Sequence, residues 1–195
     1  MMIRSSIAVC LLSAFLFGQN NVATTSAAFL EIGPGARALG MGSAYVSVAD
    51  DASSLYWNPA GMVSMGRPEV QTFYSPWLVE TQFYHNTAVI PLGAFGTIGV
   101  SFTALTMDEM MVRTVQDPEP SDYGERFDAG NLAMGIAFAK KLTDRFSFGL
   151  KTKFIQESIW QMSAQGFAID IGTLFITKKD LRIGMSISNF GGKLG

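Results

Sequence analysis

"GTIGVSFTAL" (Gly96–Leu105) decides how this chain folds. In an extended backbone successive side chains point to opposite faces. Ile98, Val100, Phe102 and Ala104 then share one face, and Thr97, Gly99, Ser101 and Thr103 share the other. The same alternation recurs in "NLAMGIAFAK" (131–140), "RFSFGLKTKF" (145–154), "GFAIDIGTLF" (166–175) and "LRIGMSIS" (181–188). Alternation over runs of about ten residues is a strand signature, and ten residues is also the length a tilted strand needs to cross a bilayer. The spacing predicts seven antiparallel strands, at about 69–76, 83–91, 96–106, 129–140, 145–157, 166–177 and 181–189.

The second face separates a membrane sheet from a soluble one. A soluble sandwich turns charged side chains outward and large apolar ones inward. Here the face opposite Phe, Ile, Leu and Met is mostly Gly, Ala, Ser and Thr, with Lys151, Lys153, Asp170 and Arg182 among them. Those four read as charges on the wall of a barrel lumen, while the bulky face meets lipid. A soluble β-sandwich is the alternative. Composition favours the first reading: 48% of the 195 residues are hydrophobic and only 15% charged, against roughly 25% in soluble domains. A net charge of −2 with scattered Lys and Arg excludes a nucleic-acid surface.

The links support the same architecture. Those at 91–96, 141–145 and 177–181 are short, whereas 75–83, 106–130 and 156–166 are longer. Short periplasmic turns facing long external loops is the outer-membrane pattern. Trp77, Tyr84, Tyr123 and Trp160 then fall near one interface, and Phe95, Phe146 and Phe175 near the other, as aromatic belts do. Long loops carry function, and methionines adapt to varied apolar partners. Met107, Met110, Met111 and Tyr123 are therefore the candidates for partner contact. An odd strand number and an open edge are both foreign to a closed barrel in lipid. Residues 67–195 are accordingly expected to be the N-terminal part, about half, of a longer barrel.

Residues 1–23 read as a bacterial export signal. Arg4 provides the positive start and "IAVCLLSAFLFG" (Ile7–Gly18) the apolar core, with cleavage expected between 18 and 28. Cys10, the single cysteine, lies within it, so the mature chain is expected to hold no thiol. Val9 makes a poor lipoprotein signal of it.

Between leader and strands, 24–66 is too small for a domain and rich in small residues, as a plug packed inside a barrel would be. In "DDASSLYWNPAGM" (Asp50–Met62), Asp51 is placed to cap a short helix and Pro59 to stop it. Asn58 can bond backbone groups while Pro59 fixes a turn. Asp50, Asp51, Asn58, Pro59 and Ala60 are thus the candidates for holding, or gating, the plug. The other readings are weaker. "GPGARA" (Gly33–Ala38) satisfies a dinucleotide fingerprint but follows no strand. Asp50 and Asp51 could hold a cation with carbonyls near Asn58, although paired acids more often serve a helix start. His85, the sole histidine, could join Ser53 or Ser54 and Asp50 in a triad, but no nucleophile elbow is present; it reads instead as a polar residue near a strand's outer end. No catalytic set, metal site or cofactor motif is therefore predicted.

"GPGARALGMGSAYVSVADDASSLYWNPAGM" (Gly33–Met62), together with "FDAGNLAMGIAFAKKL" (127–142) and "SNFGGK" (188–193), resembles the PorV/PorQ family of outer-membrane proteins associated with type IX secretion. More distantly it is similar to FadL-like transporters of hydrophobic compounds. The resemblance implies an all-β, FadL-like transmembrane barrel with an N-terminal plug, in the bacterial outer membrane. It implies a non-enzymatic secretion accessory that binds cargo or other components through extracellular loops. The expected partners are outer-membrane lipid and secreted proteins bearing a type IX C-terminal domain. The alternative it implies is a channel for a hydrophobic small molecule.

Overall fold

The computed structural model describes residues 26–115, 118–119 and 124–195. The leader expected at 1–23 and the partner candidate Tyr123 lie outside the described residues.

Seven strands form one antiparallel sheet in which hydrogen-bonded neighbours follow chain order, apart from a small ribbon set aside. They are β1 (Glu69–Pro76), β2 (Thr81–Pro91), β3 (Thr97–Met107), β6 (Ala129–Lys141), β7 (Phe146–Ile159), β8 (Met162–Ile176) and β9 (Arg182–Gly191). The ribbon pairs β4 (Met110–Met111) with β5 (Arg126–Phe127) inside the β3–β6 link. The sheet is open: β1 and β9 are its two edges. No helix among the described residues is long and apolar enough to cross a membrane.

One expectation about the links fails. The stretch 156–166 is not a loop. Backbone pairing continues from Gln156↔Gln165 through Ser158↔Ser163 to Ile159↔Met162, leaving Trp160 and Gln161 as the turn. Trp160 has φ 54°, the left-handed conformation a two-residue hairpin turn requires. Likewise β2 begins at Thr81, so its link from β1 is four residues long. Only the β3–β6 link is long on that side. The asymmetry of links is therefore carried by one loop rather than three.

The two faces of the sheet are inverted relative to a soluble fold. Val100, Phe102, Met134, Ile136, Phe138, Phe167, Ile183, Met185 and Ile187 are exposed, Ile136 at 69% and Phe167 at 73%. On the other face Thr97, Ser101, Thr103, Ala133, Ala137, Ala139, Ser147, Lys151, Lys153, Ala168 and Asp170 are buried. What buries them is the N-terminal segment 26–66, lying across that face as single turns and short helices, Ala36–Gly40 and Ser54–Trp57 among them. The segment supplies the bulk that the sheet lacks. Leu55, Met62 and Met65 pack on Val89, Ala137 and Ala139, while Phe29 and Leu30 pack on Ala133, Ile155 and Ala168. The chain thus spends its small residues on a tight interior joint and leaves its large ones outside.

Candidate functional site

The joint between segment and sheet is built on a row of small residues. Register aligns Thr97, Ala139, Gly149 and Gly172 across β3, β6, β7 and β8. Asn58, Pro59 and Ala60 sit on this row. A Cβ on Gly149 would run into the Pro59–Ala60 backbone, and one on Gly172 into Asn58 Oδ1. A Cβ on Gly184 of β9 would meet the segment in the same way, 2.7 Å from Ser47 Cα and Val46 O. Gly149, Gly172 and Gly184 on the inner face therefore allow close approach of another backbone.

Asn58 is fully buried and uses its whole amide. Its Nδ2 donates to Val46 O at 2.9 Å and to Thr173 O at 3.0 Å, and its Oδ1 accepts from Ala60 N at 3.1 Å. One side chain thus ties two parts of the segment to β8. Pro59 opens the next turn (Pro59–Ser64), where a missing N–H costs nothing.

Upstream, Asp51 Oδ1 accepts from Ser53 N at 3.0 Å, as a capping carboxylate does, and also takes the Ser53 hydroxyl. The regular helix starts later, at Ser54, and Ser53 makes no side-chain cap of its own. Tyr45 donates its hydroxyl to Asp51 Oδ2 at 3.0 Å; burial and the Asp51 carboxylate push that phenol up from its usual range. Asp50 lies between two arginines, 2.9 Å from Arg37 and 3.7 Å from Arg182 of β9. Arg182 also reaches Val48 O at 3.4 Å. The two acids are committed to cations, a phenol and backbone, which leaves the imagined cation site and triad without their carboxylates.

A polar layer lies above the small-residue row. Lys153 Nζ pairs with Asp170 at 2.8 Å and also bonds Asn189 Oδ1; both charged side chains are almost wholly buried. Lys151 Nζ donates to Leu55 O at 3.1 Å. Gly135, opposite Lys153, leaves room for both stems, since a Cβ there would meet Lys151 Cε at 2.6 Å. His85 was expected as a polar residue near a strand's outer end, and the structure adds its surroundings. It is buried on the inner face of β2, with Nδ1 2.8 Å from Thr103 Oγ1 and its ring edge-on to Tyr56. Tyr56 in turn donates to Leu30 O at 2.8 Å. Of the groups imagined as a triad, the Ser53 hydroxyl is taken by Asp51 and His85 Nδ1 lies against Thr103.

Sequence reasoning missed Tyr56, Tyr45 and Arg37, and the pairing of His85 with Thr103. The signal for that pairing was present only as polar residues at small-face positions of β2 and β3. Between Tyr56 and the lysines a polar cavity of about 210 Å³ opens. At the far end of β3, Met107 and Met111 are half-buried and Met110 is exposed, with Met110 paired to Phe127 in the ribbon. No group of three or more metal-ligating side chains occurs among the described residues.

Compared with known proteins, the chain matches the family model described as "Type IX secretion system protein PorV" over residues 17–194. No curated protein matches it.

Proposed function

This chain belongs to the PorV family of type IX secretion system proteins, and from that premise we propose that it is an outer-membrane β-barrel component of that system. Segment 24–66 is its plug and 67–195 contribute barrel wall. The observation that carries this reading is the inverted sheet. Exposed Val100, Phe102, Met134, Ile136 and Phe138 suit lipid, and the small polar face suits a filled lumen. Water would penalise such a continuous apolar surface, since soluble monomers rarely expose contiguous apolar patches beyond a few hundred Å².

Its role is that of a non-enzymatic accessory. Cargo or other secretion components dock on the external side, where the end of β3 and the β3–β6 link carry Met107, Met110 and Met111. Asp50, Asp51, Asn58, Pro59 and Ala60 hold the plug closed rather than gate it. The many fixed bonds of Asn58 support that choice. The charged side chains Lys151, Lys153 and Asp170 between plug and wall also support it over a channel for hydrophobic compounds, which would need an apolar route.

The test is deletion of the gene in its own host. Proteins bearing a type IX C-terminal domain should accumulate in the periplasm, and re-expression should restore their export. A Met110→Ser/Met111→Ser double variant should insert in the outer membrane yet restore export poorly. Unchanged export in the deletion strain would overturn the role.

A further inference from the structure

We propose that the polar cavity between the plug and β7–β9 is a binding well for a short-chain monocarboxylate, anchored on the Lys151 ammonium. Its shape is that of a well. Glu31, Ser188 and Asn189 at the rim are exposed, whereas Lys151, Lys153, Asp170 and Thr103 at the floor are buried. Its volume of about 210 Å³ falls below the roughly 300–1,000 Å³ of drug-sized sites, so the occupant is small.

Charge selects the chemistry. The floor holds two ammonium groups and one carboxylate. Asp170 is committed to Lys153 at 2.8 Å and to the backbone N–H of Asn189 at 2.7 Å. Lys151 has three N–H donors but meets a neutral acceptor, Leu55 O, and no carboxylate lies within 4.0 Å of it among the described residues. A buried cation without a counter-charge is costly, and a monoanion supplies one. A dianion would leave a negative excess beside Asp170. Glu31 stands in water at the rim, where salt screens it. Leu30 and the Tyr56 ring add an apolar side wall for a few carbons.

The wall is shaped at this spot. The β8–β9 register slips between Ile169 and Ile171, and Asn189 takes the left-handed conformation at φ 60°. This bulge turns the Asn189 N–H onto Asp170 and interrupts the ladder beside the rim. Bulges are over-represented next to binding and active sites, where they re-aim groups. The inference does not depend on the secretion role.

Butyrate is the probe, measured by saturation-transfer NMR on the full-length protein in octyl glucoside micelles. The wild type should give a saturable signal that an equal concentration of inorganic phosphate does not displace. Lys151→Met should weaken binding at least tenfold. Ser188→Trp, an exposed rim change that leaves the buried charges alone, should do the same and serves if the lysine variant fails to fold. Lys178→Met, in the exposed β8–β9 turn, should bind as the wild type does. No butyrate signal, or one unchanged in Ser188→Trp, would overturn the site. Displacement by phosphate would overturn its selectivity for a monocarboxylate.

Discussion

Asn58 and Thr173 are 115 residues apart and joined by one hydrogen bond, Nδ2 to carbonyl oxygen at 3.0 Å. That bond fastens the N-terminal segment to β8, and the same amide also serves Val46 and Ala60. Asn58→Ala should therefore leave two carbonyls and one N–H unpaired in a buried joint. Each orphan costs about 1–3 kcal/mol, so a loss of about 3 kcal/mol or more is expected. Asn58→Asp keeps the shape but loses both donors, and should not rescue. Urea unfolding gives the loss, and limited proteolysis should show cleavage within 26–66 before the strands.

The glycine floor grades the next prediction by what the new Cβ meets. Gly149→Ala and Gly172→Ala push on the Pro59–Ala60 backbone and the Asn58 amide, which cannot yield. Gly99→Ala meets the tips of Leu55 and Met62, at 2.6 and 2.9 Å, which can rotate away. Gly130→Ala meets only Ser158 Oγ at 3.7 Å. Overpacking of the first kind costs about 1–3 kcal/mol. Thermal stability should fall in the order Gly130, Gly99, then Gly149 and Gly172. An equal effect at all four would contradict a joint built on close approach.

Breaking the buried pair should cost more than deleting it. Asp170→Asn strands the Lys153 ammonium and is expected to lose about 3–5 kcal/mol, whereas Lys153→Leu/Asp170→Leu should recover much of that. Denaturant midpoints of the two variants decide it. The outer network behaves differently. Asp50→Asn removes half-exposed ion pairs to Arg37 and Arg182, and its effect should be small and fade with salt.

Tyr56 gives the pH dependence. Burial pushes its hydroxyl well above the usual tyrosine range, with the Asp170 and Glu31 charges adding to the effect. The folded state therefore favours the protonated form more than the unfolded state does. This stabilisation is complete below the unfolded value of about 10 and is lost as pH rises above it. Ultraviolet titration should show Tyr56 and Tyr45 ionising above the ordinary tyrosine range. Tyr56→Phe should remove one late step, along with the bond to Leu30.

Much of the sheet was legible because alternation is a local signal. Residues 69–76 match β1 end to end, and the other strands agree within a few residues. The failure at 156–166 has a physical cause. Gln156, Glu157, Ser158, Ser163 and Gln165 break the apolar alternation, yet backbone pairing needs no apolar side chains and continues through them. The β4–β5 ribbon pairs two residues with two, too few to show a period. In the site, the backbone-bonding use of Asn58 could be read locally, but its partner Thr173 could not. The same holds for Asp50 with Arg182 and for Lys151 with Leu55. These contacts are set by strand register and by where the segment lands, neither of which is written in neighbouring residues. The surroundings of His85 were hidden for the same reason: Tyr56, in the helix Ser54–Trp57, meets it edge-on from a distant part of the chain.

The central claim is that the bulky face of this sheet meets lipid and the small face meets the plug. Spin labels placed one at a time on β6 of the full-length, cysteine-free protein in outer-membrane vesicles test it most directly. Labels at Met134, Ile136 and Phe138 should be accessible to oxygen and shielded from a water-soluble nickel relaxant. Labels at Ala133 and Ala137 should be shielded from both. Strong nickel accessibility at Ile136 would contradict the account.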